Sequence, residues 1–127
     1  MNFVICEIMQ IALEIELRRD LQVHAARADT SIKDWLLDNL SRQELKFGLE
    51  AYIADRLGSL IIMAPPTNVD RLNVRLEDPK IELALQRVAE NSQRTRPQVL
   101  YTLIQCLVRD QDAAETKSSN FYNALRA

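Results

Sequence analysis

The chain has 127 residues, 47% hydrophobic and 27% charged, which is the balance of an ordinary globular protein of one domain or two very small ones. Its longest strongly apolar run, Leu60 to Ala64, falls far short of the ~20 residues that cross a bilayer, and the N-terminus has neither a basic n-region nor a small-residue cleavage motif. The net charge of −2 is uneven, with seven basic and ten acidic residues over 1–67 and nine basic against eight acidic over 68–127, so a phosphate-binding face is expected in the second half.

Only two glycines and four prolines interrupt the chain, which predicts a mostly helical protein. Near the N-terminus Met9, Ile11 and Leu13 alternate with Gln10, Ala12 and Glu14, a short half-buried strand. Reading Glu14 and Glu16 as further strand residues would cost the next helix a full turn, so the shorter strand is preferred. The helix that follows carries Leu17, Leu21, Val23, His24 and Ala28. Asp29-Thr30-Ser31-Ile32 then forms a turn and cap, and Trp35, Leu36 and Leu40 are the face of a second helix. From about Gln43 to Leu57, the residues Leu45, Leu49, Tyr52, Ile53 and Leu57 recur at helical spacing, with Gly58 as the stop. The Ala64-Pro65-Pro66-Thr67-Asn68 stretch is a linker, because paired prolines favour an extended spacer.

After the linker the same grammar returns more clearly. Arg71 to Leu76 alternates strictly, with Leu72, Val74 and Leu76 inward and Arg71, Asn73 and Arg75 outward. Asp78 caps a helix with Pro79 at its first position, and Ile81, Leu85, Val88 and Ala89 form one stripe. Asn91 to Arg94 makes a turn. Thr95 caps a second helix whose apolar face is Val99, Leu100, Leu103, Ile104 and Leu107, and the residues beyond Asp110 read as a polar tail. The chain is thus expected to hold a first strand-helix-helix unit over 8–42, a helical insert and linker over 43–68, a second unit over 69–110, and a tail over 111–127.

A lone strand of five or six residues needs a partner. Antiparallel pairing of the two strands, within one chain or between two chains, solves this and leaves one face of the ribbon to solvent or a ligand. Arginine and asparagine side chains on that face can read guanine and adenine edges in a major groove, which admits a two-stranded ribbon.

Here the sequence resembles the ribbon-helix-helix (MetJ/Arc-type) DNA-binding family. The resemblance runs over Arg71 to Asp110, through Leu72-Asn73-Val74-Arg75-Leu76, Val88-Ala89-Glu90-Asn91 and Arg94-Thr95. It extends more loosely over Met9 to Leu40, through Leu21-Gln22-Val23-His24-Ala25-Ala26 and Asp29-Thr30-Ser31-Ile32. Two copies in one chain resemble accessory proteins of conjugative plasmids. The resemblance implies tandem units forming a pseudo-dimer or a homodimer. It also implies base reading by Arg71, Asn73 and Arg75, with Gln10 the one plausible reader of the first strand, and phosphate binding by Thr95, Arg96 and Arg94, with Thr30, Ser31 and Lys33 in the first unit. Two departures stand out. Glu77 is one residue more than the pattern wants between strand and helix, and Pro97 removes an amide from the helix start that should hold phosphate.

Plainer readings accompany each of these. Arg71 and Arg75 can be the wet face of an edge strand, and Thr95 and Ser31 can be ordinary helix caps. His24 reads as packed or surface-exposed, Trp35 and Tyr101 as core aromatics, and Cys106 as a buried small hydrophobe. Cys6 and Cys106 lie far apart without a C-x-x-C motif, and one histidine excludes a zinc finger or a familiar metal cluster. Glycine-rich phosphate loops, serine elbows, His–Cys pairs and paired carboxylates are all missing. The expectation is a cytoplasmic protein that is not an enzyme, with no catalytic residue, metal or cofactor. It is expected to bind double-stranded DNA sequence-specifically as a repressor or plasmid accessory protein, as a homo-oligomer and away from membranes. The alternatives are an antitoxin-like interaction module, whose tail wraps a protein partner through Phe121, Tyr122 and Leu125, or a structural subunit whose strands mediate only dimerisation.

Overall fold

A computed structural model of the chain describes residues 8–63, 67 and 69–126, with side-chain surroundings through residue 117. The chain runs β1 (Met9–Glu14), α1 (Ile15–Arg27), α2 (Ile32–Lys46), α3 (Leu49–Leu57), β2 (Val69–Val74), α4 (Pro79–Ser92) and α5 (Arg96–Arg126). The molecule is therefore mostly helical with one two-stranded antiparallel sheet. No helix among the described residues is long and apolar enough to cross a membrane.

Both strands of the ribbon belong to one chain. Met9 pairs with Val74, Gln10 with Asn73, Ile11 with Leu72 and Ala12 with Arg71, in an unbroken register. The period of two divides each strand by solvent affinity. Met9, Ile11 and Leu13 from β1 are buried beside Leu72 and Val74 from β2, and Leu76 just past the strand end is buried with them. The helices close over this face. α5 supplies Val99, Leu100, Leu103, Ile104 and Leu107, while α4 supplies Ile81, Leu85 and Val88. Leu21 from α1, Leu36 and Leu40 from α2, and Tyr52 and Ile53 from α3 complete the core.

The start of α4 follows its sequence closely. Asp78 caps it by accepting from the amides of Lys80 and Ile81, and Pro79 stands at the first turn, where no amide partner is missed. The residue in excess, Glu77, does not disturb the ribbon register. It is taken up in the loop before α4 at a φ of 59°, a left-handed turn.

Three expectations need correction. The expected strand Arg71–Leu76 is displaced by two residues, since pairing spans Val69–Val74 and Arg75 to Asp78 form the loop. The insert is not one helix from Gln43. α2 continues to Lys46, the chain turns at Gly48 with a φ of 82°, and α3 begins at Leu49. Leu45 therefore sits on the end of α2 and is 89% exposed instead of joining the stripe of Leu49 and Ile53. Gly58 does end α3 in the left-handed conformation. The third correction concerns 111–127, where α5 continues through Arg126. No glycine or proline follows Pro97, so nothing in the sequence stops the helix, and α1 provides partners for its polar side chains. The Ala64–Asn68 linker apart from Thr67, and the side chains of Phe121, Tyr122 and Leu125, lie outside the described residues.

Candidate nucleic-acid interface

The outward ribbon positions gather the sequence-predicted base readers on one surface. Gln10 and Asn73 stand directly opposite each other, and Arg71 is opposite Ala12. Side chains on opposed and diagonal positions of an antiparallel pair are within mutual reach. Arg71 accordingly donates from Nη1 to Oε1 of Gln10 at 2.9 Å, so the two units meet through their candidate readers. Gln10, Arg71, Asn73 and Arg75 are all exposed. Asp70 binds the Arg71 amide at 2.8 Å and pairs with Arg18 of α1 at 3.2 Å, which ties the strand end to the first unit.

The end of the second strand meets the start of α2. Glu77 lies 3.1 Å from Lys33 Nζ and 4.0 Å from Arg75 Nη1, so one carboxylate joins a cation from each unit. The trio is exposed, and surface pairs of this kind contribute little to stability.

The two helix starts differ in what they leave for a phosphate. At α2, the Ser31 hydroxyl already accepts from the Asp34 amide at 3.1 Å, and Asp34 adds a negative charge to the first turn. At α5, Thr95 and Gln98 form a reciprocal capping box. The Gln98 amide donates to Thr95 Oγ1, and the Thr95 amide donates to Gln98 Oε1 at 3.0 Å. Pro97 lacks an amide, so the α5 start offers fewer backbone donors than the α2 start. Arg94 is exposed. Arg96 is half-buried and leans on Glu82 of α4 at 3.4 Å, a carboxylate only 1% exposed. No local sequence pattern signals this pair, because the partners lie fourteen residues apart across a turn.

A second polar cluster lies between α1, α2 and α5. His24 is buried, and its ring, Asp112 and Glu115 bring three ligand types within 4.8 Å of one another. The sequence reading left His24 undecided between core and surface. Only the continuation of α5 places the two carboxylates beside it. Burial alone would raise the Glu115 carboxyl, but hydrogen bonds from Gln111 and Arg27 outweigh it and hold the group below the usual carboxylate range.

Elsewhere the polar groups are structural. Tyr52 donates to Asp110 at 2.6 Å and Arg56 clasps the same carboxylate at 2.9 Å, fastening α3 to α5. Burial, with the Asp110 hydrogen bond, pushes the Tyr52 hydroxyl well above its ordinary range. Burial likewise pushes the Cys106 thiol up to about 11, the opposite of an activated nucleophile. Tyr101 and Gln105 both bind Glu14 at the end of β1.

No protein-family model, curated protein or solved structure matches this chain.

Proposed function

We propose that the chain binds double-stranded DNA sequence-specifically, as two ribbon-helix-helix units folded into a pseudo-dimer, with the ribbon lying in the major groove. The observation that carries this reading is the shared outward face of Gln10, Arg71 and Asn73 on an antiparallel register, with Arg75 exposed just past the strand end. Bidentate donors and amides suited to guanine and adenine edges stand there on the strand pair that a major groove accommodates. In this reading Arg94 and Arg96 fix register on phosphates, assisted by Thr95, while Ser31, Thr30 and Lys33 play the lesser part. The roles of transcriptional repressor and plasmid accessory protein both follow from such binding. The acidic balance of the whole chain favours several adjacent sites bound by more than one molecule.

An interaction module is the second reading. It draws on the length of α5, which runs on to Arg126 after its last described contact with α1 at Glu115. A protein partner would engage that end of the helix.

Selection from a random duplex pool at several salt concentrations, with Arg75→Ala in parallel, tests the proposal. DNA binding requires an enriched motif in the parent that fades in the variant. Because the second unit holds three of the four readers, that motif should be asymmetric. Absence of enrichment at every salt concentration would leave the interaction module as the better account.

A further inference from the structure

The chain's only histidine and only tryptophan are stacked on one another, with ring centroids 5.9 Å apart, in the cluster between α1, α2 and α5. His24 is 4% exposed, and its ring edge faces two carboxylates of α5. Nε2 is hydrogen-bonded to Asp112 Oδ1 at 2.8 Å. Nδ1 lies 3.3 Å from Glu115 Oε1 but off the hydrogen-bonding direction, so this buried nitrogen has no hydrogen-bond partner. We propose that the cluster is a binding site for a zinc-like divalent cation, held between His24 Nδ1 and Glu115 Oε1 and oriented by Asp112.

Three physical points lead there. With Nε2–H donated to Asp112, the lone pair of Nδ1 is aimed into a site that also holds a carboxylate oxygen. Two electron-rich atoms at that separation repel unless a positive charge sits between them. A metal ion fits this spacing. Two ligand atoms about 2.0–2.1 Å from a tetrahedral zinc ion are separated by about 3.3–3.4 Å. A carboxylate on the far ring nitrogen is also the usual outer support of a metal-bound histidine, fixing tautomer and ring plane. Asp112 occupies that place, and the stacked Trp35 holds the ring from α2.

Around the cluster, Arg27 of α1 occupies Glu115 Oε2 at 2.7 Å and Gln111 of α5 approaches Oε1 at 3.4 Å. The Arg27 charge moderates affinity for a cation and also leaves Oε1 as the ligand atom. A cavity of about 270 Å³, lined by Trp35, Asp38 and Asn39 of α2 together with His24, Gln111 and Glu115, gives water room to complete the coordination. The bound ion would clamp the distal part of α5 to α1.

The test uses the full chain after chelator treatment and dialysis, titrated with zinc chloride at pH 7.5. Trp35 fluorescence and the imidazole proton signal of His24 each report this site alone. A saturable one-to-one change is expected, weakened at least ~10-fold by Glu115→Gln and by His24→Gln, and about 10–100-fold by Asp112→Asn. Glu115 is partly exposed, so Glu115→Gln carries the test should His24→Gln fail to fold. No saturable change up to about 1 mM zinc, the weak limit of specific binding, overturns the proposal, as does binding that Glu115→Gln leaves intact. Neither result touches the DNA reading, none of whose residues belongs to this cluster.

Discussion

The two strands of the ribbon are alike inside and unlike outside. β1 and β2 each turn a row of aliphatic side chains into the core, and these are equally buried. On the outer face β2 and its following loop present Arg71, Asn73 and Arg75, whereas β1 and the residue before it present Ile8, Gln10 and Ala12. The helices after the strands differ in the same sense. α4 opens with an Asp78 side-chain cap and Pro79, while α1 follows β1 directly and has no side-chain cap. Because successive residues of a strand face opposite ways, the demands of folding fall on one set of positions and the demands of recognition on the other. One unit can keep its place in the core while losing its outward chemistry.

The largest expected effects test the likeness. Leu13 and Leu76 are fully buried, and Leu13→Ala and Leu76→Ala should each destabilise the fold by about 2–5 kcal/mol in denaturant titrations. A difference of more than a factor of two between them would show that the inner faces are not equivalent.

Next come the outer faces. Asn73→Ala and Arg75→Ala should each lose about 1–3 kcal/mol of specific DNA binding and relax the preferred base at one position, with little change in stability. Gln10→Ala should lose less, since its partner Arg71 remains to contact the groove. Equal losses at Gln10 and Asn73 would abolish the asymmetry. The phosphate contacts are best probed with Arg94→Ala, which should weaken binding to all sequences alike. Arg96→Ala is the less clean variant because Arg96 also faces the buried Glu82.

The caps give a smaller contrast. Asp78→Ala removes acceptors from two amides and should cost about 1 kcal/mol of stability, and Ser31→Ala a similar amount, measured by thermal unfolding. Glu14 makes no side-chain cap to α1, so no cap loss is expected there.

The smallest effect at neutral pH concerns the junction of α3 with α5. Folding raises both the Cys106 thiol and the Tyr52 hydroxyl, so their contributions are intact below the unfolded thiol value, about 8.5. As pH rises, the unfolded chain loses these protons first. Stability should therefore fall from about pH 8.5 upward, with a second decline above about pH 10. Denaturant titrations at a series of pH values read this directly, and Tyr52→Phe should shrink the second decline to the part owed to Tyr101, whose hydroxyl burial also raises.

Much of this fold was legible in the chain before its coordinates. The alternation at Arg71–Leu76 correctly assigned inward and outward residues although the paired segment begins earlier. Asp78-Pro79 and Gly58 marked helix ends because their effects act within one turn. The end of α5 was not legible, since a polar stretch without glycine or proline is compatible with either tail or helix. What settled it was α1, whose His24 and Arg27 provide partners for Asp112 and Glu115. Leu45 was misplaced for a related reason. Helical spacing continues through Phe47 and Gly48, and only the turn in the backbone separates α2 from α3.

By itself the sequence determined the quantities that depend on near neighbours: the period of each strand, the start of α4 and α5, and the side chains turned outward on each strand. Tertiary structure alone decided that the two strands pair in one chain, with Gln10 facing Asn73 across the ribbon. It also decided that His24 meets a carboxylate 88 residues away, that of Asp112. The physical reason is that register and long-range polar contacts depend on how the helices share one core, and no local pattern encodes which distant partners that sharing brings together.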